Sequence, residues 1–237
     1  MKWGLIKRLI FFTILFSGTI SCCSRIPNIN SFRNSQLPDP VAAEHATLFV
    51  LVNLNYEGQL TGIGSSGTGF GIAYQENSTI IMTAGHVCEP MIDKPGYENE
   101  LSVLTVDGKK IDVEETIISK TQDLCLMKVN EILPIAKIAK SEPKSGDKIK
   151  YSGYPAGVYI PGTLHYFDGY MGGKDGENNH MYNIPTVGGA SGSPIYNLDG
   201  EVVAIVSAVM IDFEHVTFAV GFYNILEFLK NNGLAIS

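Results

Sequence analysis

Apolar and polar positions change over in short blocks along this chain. From Ala46 onward, short runs rich in Val, Ile, Leu, Phe, Tyr and Thr are cut by clusters of Gly, Asn, Asp, Ser and Pro. That is the pattern of strands and turns, with little of the 3.6-residue period of a helix. Residues 47–54, 67–74, 79–83, 101–106, 110–113 and 124–129 read as strands, and residues 75–78 as the turn of a hairpin. After the polar stretch 144–147 the pattern resumes at 148–151, 166–170, 181–184, 194–196, 201–206 and 217–222. Asp199-Gly200 marks a second hairpin, because Asp-Gly accepts the positive φ angles of tight hairpin turns. Residues 224–230 form the one helical stretch, with Gly233 as its stop. The expectation is an all-β protein, a sandwich or barrel with a C-terminal helix. Pro134 and Pro143 interrupt the pattern, so a boundary between two β units falls within 131–145, giving units 46–135 and 136–237. There is no internal repeat.

The first residues follow a different rule. Lys2, Lys7 and Arg8 precede an apolar run over 9–16, and Gly18, Thr19 and Ser21 precede Cys22 and Cys23. The run is too short for a comfortable membrane span and suits a signal peptide. Residues 1–23 are therefore read as a signal peptide, or as a lipoprotein signal or anchor with Cys22 as the lipidated residue. Residues 24–45, with Pro38 and Pro40, read as a polar tether. The expected location is outside the cytoplasm, on the periplasmic or extracellular face and tethered at a membrane. Of 237 residues 45% are hydrophobic and 17% charged, the composition of a folded chain. A net charge of -7 without a basic cluster argues against nucleic acid as a partner.

Three segments have the makings of nucleophilic catalysis. A serine hydroxyl needs an imidazole to take its proton, a carboxylate to orient that imidazole, and N–H groups aimed at the developing oxyanion. Gly188-Gly189-Ala190-Ser191-Gly192-Ser193-Pro194 sets a serine among glycines, which permit a sharp turn and keep Cβ atoms away from an incoming carbonyl. A plain Gly/Ser loop would look the same. Ile81-Met82-Thr83-Ala84-Gly85-His86 runs a strand into a turn that ends on His86. Asp123 opens the apolar strand Leu124-Cys125-Leu126-Met127, an unusual place for an unpaired carboxylate. Asp112 is the rival carboxylate, but it alternates with Ile111 and Val113 as a solvent-facing strand residue would.

Taken together, Thr83-Ala84-Gly85-His86, Asp123-Leu124-Cys125-Leu126 and Gly189-Ala190-Ser191-Gly192-Ser193-Pro194 resemble the triad segments of the trypsin/chymotrypsin clan, in that clan's chain order. The nearest likeness is to secreted bacterial members and HtrA-like protease domains, with a Gly67-Thr68-Gly69-Phe70 strand before the histidine and a Phe218-Ala219-Val220 strand after the serine. Only 15 residues follow Phe222, so no PDZ-like module is expected. The resemblance implies two antiparallel six-stranded β-barrels with the site between them. His86 would be general base and acid, Asp123 its orienting carboxylate and Ser191 the nucleophile of a serine endopeptidase. Gly189 and Ser191 would supply the oxyanion-hole amides, and Ser207 would pair the substrate backbone. Pro185 and Thr186 would form the base of the primary pocket and Val209 a wall. Without a charge at that base, the expected preference is for small or medium apolar residues before the cut. Ala190 stands where zymogen-activated members have an Asp, so a site formed on folding is expected. Ser193 replaces a glycine in a crowded turn. If His86 and Asp123 touch, Cys88 and Cys125 are neighbours, either as a disulfide or as two buried thiols.

Other signals carry less. Gly62-Ile63-Gly64-Ser65-Ser66-Gly67 fits a dinucleotide fingerprint but leads into a strand and not a helix, so a β-rich glycine loop is the reading. His45, His165, His180 and His215 show no metal-ligand spacing. No cofactor or metal is expected, and the partner is a protein or peptide substrate. The competing function is a catalytically inactive, protease-like binding module.

Overall fold

The computed structural model describes residues 37–210 and 215–234. The export signal and Cys22 lie outside the described residues. β1 (Thr47–Tyr56), β2 (Gln59–Gln75), β3 (Ser78–Thr83), β4 (Tyr97–Leu104), β5 (Lys110–Asp112), β6 (Glu115–Ile118) and β7 (Cys125–Val129) form one antiparallel sheet in the order β5-β4-β1-β2-β3-β7-β6. A one-turn helix, α1 (Gly85–Cys88), follows β3. β8 (Lys148–Gly153), β9 (His165–Lys174), β10 (Asn179–Asn183), β11 (Pro194–Tyr196), β12 (Val202–Val209) and β13 (Val216–Gly221) close into a barrel, and α2 (Phe222–Asn231) packs after it. The chain is thus mostly β with a small C-terminal helix, the chymotrypsin-like architecture.

The first unit departs from a fully laddered barrel. Its edge strands β5 and β6 do not pair with each other. Most of their residues face solvent, so they have little apolar surface to seal between them. They are consecutive in the chain, however, and Val113 donates to Leu101 on one side while Glu114 donates to Lys128 on the other. The open sheet therefore curls until a two-residue segment spans its edges.

Local chemistry accounts for the turns. β1 and β2 meet at Glu57 (φ 49°) and Gly58 (φ 76°), with Tyr56 opposite Gln59. Two successive positive φ values give the hairpin turn whose twist matches its strands. The β-rich glycine loop expected at 62–67 is laddered as strand, with Gly64 to Gly67 paired to Asn53 to Val50. These residues carry no apolar pattern of their own and take their strand from β1. Residues 41–45, read as tether, also join the fold. Val41 donates to Ile135, Ala43 donates to Gly200, and Ala43 is fully buried.

One apolar cluster fills the first sheet, including Val50, Val52, Ile81, Val103 and Met127. Another fills the barrel, including Ile149, Tyr151, Tyr182, Ile195 and Ala204. A third joins Phe70, Met82 and Leu126 with Val202, Val220 and Phe228 of the barrel and helix. This shared core fixes the two units against each other.

Candidate active site

His86 and Asp123 come from adjacent strand ends. Thr83 on β3 pairs with Cys125 on β7, which sets the start of α1 beside the residue preceding β7. A Cβ on Gly85 would lie 3.0 Å from Asp123 Oδ1, so the glycine makes room for the carboxylate. Asp123 then accepts the His86 backbone N–H (2.8 Å) and faces His86 Nδ1 at 2.9 Å through Oδ2. Its third donor is the Ser207 hydroxyl. Two residues beyond each partner, Cys88 and Cys125 are joined by a disulfide. The bond ties the histidine turn to the aspartate strand.

The electrostatics follow from these contacts. The hydrogen bond to Asp123 favours imidazolium and lifts His86 above its ordinary value, against the opposing effect of burial. Burial pushes the Asp123 carboxyl up, but the bonds from the His86 ring, the Ser207 hydroxyl and the His86 amide outweigh it and hold Asp123 below its ordinary value. With Nδ1–H directed at the carboxylate, neutral His86 carries its lone pair on Nε2. Ser207 was expected to meet substrate through its backbone; its side chain has the separate task of supporting Asp123. Asp112 is exposed and pairs with Lys110, away from this cluster.

Ser191 reaches the same place through backbone packing. Thr68 N–H donates to Ser191 O at 2.8 Å. A Cβ on Gly67 would lie 2.9 Å from Val87 and 3.2 Å from Ser191 O, and one on Gly192 would lie 2.9 Å from Ala84 N. The Ser191 turn thus sits directly on the segment that carries His86, with glycine at both points of closest approach. Ser191 Oγ and the His86 ring are not hydrogen-bonded among the described residues, a bond that catalytic pairs often tighten only around substrate.

The peptides of the turn are oriented in a consistent way. Gly188 O accepts from Ala156 N–H, Gly189 O from the Thr68 hydroxyl, Ala190 O from Ser193 N–H and Ser191 O from Thr68 N–H. The amides of Ala190, Gly192 and Ser193 donate to Val187, Val206 and Ala190. The amides of Gly189 and Ser191 have no partner among the described residues. Trans peptides point N–H opposite C=O, so pinning the Gly188 and Ala190 carbonyls directs these two amides away from the bonded side. Gly189 has φ 86° and Gly192 φ 85°, both in the region that glycine favours. Ser193 fits because Gly153 has no side chain: a Cβ there would lie 2.1 Å from Ser193 Oγ.

Of the residues that the resemblance assigns to the primary pocket, Pro185 accepts the Tyr151 hydroxyl at its carbonyl (3.0 Å), Thr186 is buried, and Val209 is half-buried at the end of β12. Asn224 of α2 donates to both Gln122 Oε1 and Glu177 O, linking the residue before Asp123 to the barrel. No group of three or more His, Cys, Asp or Glu side chains among the described residues could hold a metal ion. Thr68 lies in a sequence motif that gives it no role of its own, and nothing local in the sequence marks Gly153 or Asn224. Their partners are distant in sequence, so no local pattern announces them.

Comparison with known proteins bears on the fold and the family. The fold is that of the Rv3671c protease from M. tuberculosis. Against its active form the chain is 20% identical with a TM-score of 0.62, covering 84% of this chain and 89% of that one. Against an inactive form of the same protease the identity is 19% and the TM-score 0.58, covering 84% and 98%. No curated protein matches the sequence. The family profile described as "Trypsin-like peptidase domain" matches residues 67–205, more than half of the chain, and the protein belongs to that family.

Proposed function

We propose that this protein is an active serine endopeptidase with His86, Asp123 and Ser191 as its catalytic triad. The observation that carries the reading is the pair of unpartnered amides at Gly189 and Ser191, in a serine turn packed against the segment that carries an Asp-oriented histidine. Ser191 Oγ attacks the scissile carbonyl while its proton passes to His86 Nε2. The carbonyl oxygen becomes an oxyanion that the Gly189 and Ser191 amides receive. Asp123 holds the Nδ1–H tautomer and stabilises the imidazolium. His86 then gives the proton to the leaving amine, which departs as the C–N bond breaks and leaves an acyl-Ser191 ester. Water, deprotonated by His86, attacks the ester and releases the acid, and the proton returns to Ser191. A fluorophosphonate probe tests this directly. Labelling of wild type that is lost in Ser191→Ala is the expected result. Unlabelled, inactive wild type would overturn it in favour of a binding module.

The substrate is a protein or peptide cut after small or medium apolar residues. Support comes from the uncharged Pro185, Thr186 and Val209 attributed to the primary pocket. A peptide library with a preference for Arg or Glu before the cut contradicts this. We also place the protein outside the cytoplasm, tethered through Cys22. The Cys88–Cys125 disulfide supports an oxidising compartment. Palmitate labelling that survives Cys22→Ser would exclude that tether.

A further inference from the structure

Thr68 is fully buried, and all of its polar groups are engaged by the segments around Ser191. Its N–H donates to Ser191 O at 2.8 Å. Its hydroxyl donates to Gly189 O at 3.0 Å and accepts Tyr154 N–H at 3.0 Å. Its carbonyl accepts the Thr83 hydroxyl at 2.7 Å. Glycines clear the space around it: a Cβ on Gly192 would lie 2.0 Å from Thr68 O, and one on Gly153 3.0 Å from Thr68 Oγ1.

These bonds converge on one peptide. The Gly189 amide belongs to the unit whose carbonyl, Gly188 O, is held by Ala156 N–H. Ala156 follows Tyr154 in a tight turn and has φ 55°, an unfavourable angle for alanine that its surroundings must impose. The Gly189 carbonyl on the other side is held by the Thr68 hydroxyl itself. One hydroxyl thus fixes the peptide after Gly189 directly, and through Tyr154 anchors the turn that fixes the peptide before it. A hydroxyl has one proton and two lone pairs, so a single oxygen can donate and accept here, which a methyl of the same volume could not do.

We propose that Thr68 is a positioning residue of the oxyanion hole, whose hydroxyl joins Gly189 O to Tyr154 N–H and thereby keeps the Gly189 amide aimed at the site. The proposal rests on the peptidase reading above. Thr68→Val keeps the shape and both backbone bonds but removes the hydroxyl; Thr68→Ser keeps the hydroxyl. Loss of one oxyanion donor costs about 100- to 1000-fold in kcat, and loosening one without deleting it is expected to cost about 10- to 100-fold. The loss falls on kcat with KM within about threefold of wild type, because the hole acts on the transition state.

Both variants are assayed with a fluorogenic peptide, together with inhibition by a peptide trifluoromethyl ketone, which forms an oxyanion on Ser191. Thr68→Val should weaken that inhibition in step with kcat while leaving the acid limb of the pH profile in place, since the His86–Asp123 pair is untouched. Thr68→Ser should recover kcat to within about threefold. If Thr68→Val shows no cooperative thermal transition, Thr68→Ala is read by the same criteria. Folded Thr68→Val with kcat within twofold of wild type overturns the proposal. So does a loss confined to KM, or Thr68→Ser falling as far as Thr68→Val. Wild type that neither turns over peptide nor labels at Ser191 overturns the peptidase reading, and this one with it.

Discussion

Breaking the Cys88–Cys125 bond tests how the site is braced. The two residues are separated by 37 positions, and the loop between them holds the connection from the histidine turn to the aspartate strand. In the chain-entropy account, a cross-link over a loop of this length removes denatured-state freedom equivalent to about 4 kcal/mol. For a folded unit of about 200 residues, each kcal/mol moves Tm by roughly 2–4 °C, so the expected drop is about 8–16 °C. Cys88→Ala and Cys125→Ala each lose the bond completely. The double variant adds only a further small truncation to a loss already incurred, and the two single effects should be strongly non-additive.

Thermal unfolding by circular dichroism, without reductant, reads all four proteins. Activity measured well below every Tm then separates bracing of the site from bracing of the fold. α1 has only four residues and, apart from Val87 in the apolar cluster, is anchored otherwise by the His86–Asp123 bonds, so a fall in kcat is expected in all three variants. Additive losses of about 1 kcal/mol per cysteine would refute the reasoning, because that is how two unlinked buried thiols behave.

Two further outcomes follow from the contacts. The proposed mechanism needs neutral His86, and a raised pKa keeps the imidazole charged to higher pH, so activity should rise with pH around a midpoint above the ordinary histidine value of about 6.5. Asp123→Asn should move that midpoint down and lower kcat by about 10³–10⁴-fold; a pH–rate profile with an unmoved acid limb counts against the pairing. Gly153→Ala drives a Cβ into Ser193 Oγ and should cost about 1–3 kcal/mol. Ser193→Gly in the same chain should return part of that stability, the remainder reflecting the contact with Thr68, and additive costs in denaturant unfolding would dissociate the two positions.

The strand pattern was legible wherever a strand buries its own apolar face, as in β3 and β7. It failed where a strand depends on its neighbour. Gly64 to Ser66 carry no β signal, yet they lie in β2 because β1 offers them a ladder. β6, with three of its four residues exposed, gave no alternation to read. The candidates His86, Asp123 and Ser191 stand out in the sequence because each has a distinctive local setting: a glycine turn, a strand mouth, a pair of flanking glycines. Thr68 has none. It looks like any strand threonine until the barrel brings Tyr154 and Gly189 to its hydroxyl. Gly153 and Ser193 are complementary across 40 positions, and only the folded ladder of β8 on β11 puts them together.

Ala190 stands where zymogen-activated members of the clan bury an aspartate that receives an inserted N-terminus. Ala190 is fully buried in the apolar cluster of the barrel and can form no ion pair. The work of orienting the turn falls instead to the Ala156 amide, the Thr68 hydroxyl and amide, and the Ser193 amide. None of these donors titrates in the physiological range, and all belong to the described fold. A buried ion pair would add a desolvation cost and a dependence on a free amine. Neutral donors carry neither. In the proposed site the fold itself thus directs the amides of Gly189 and Ser191, and dependence on pH is left to the His86–Asp123 pair.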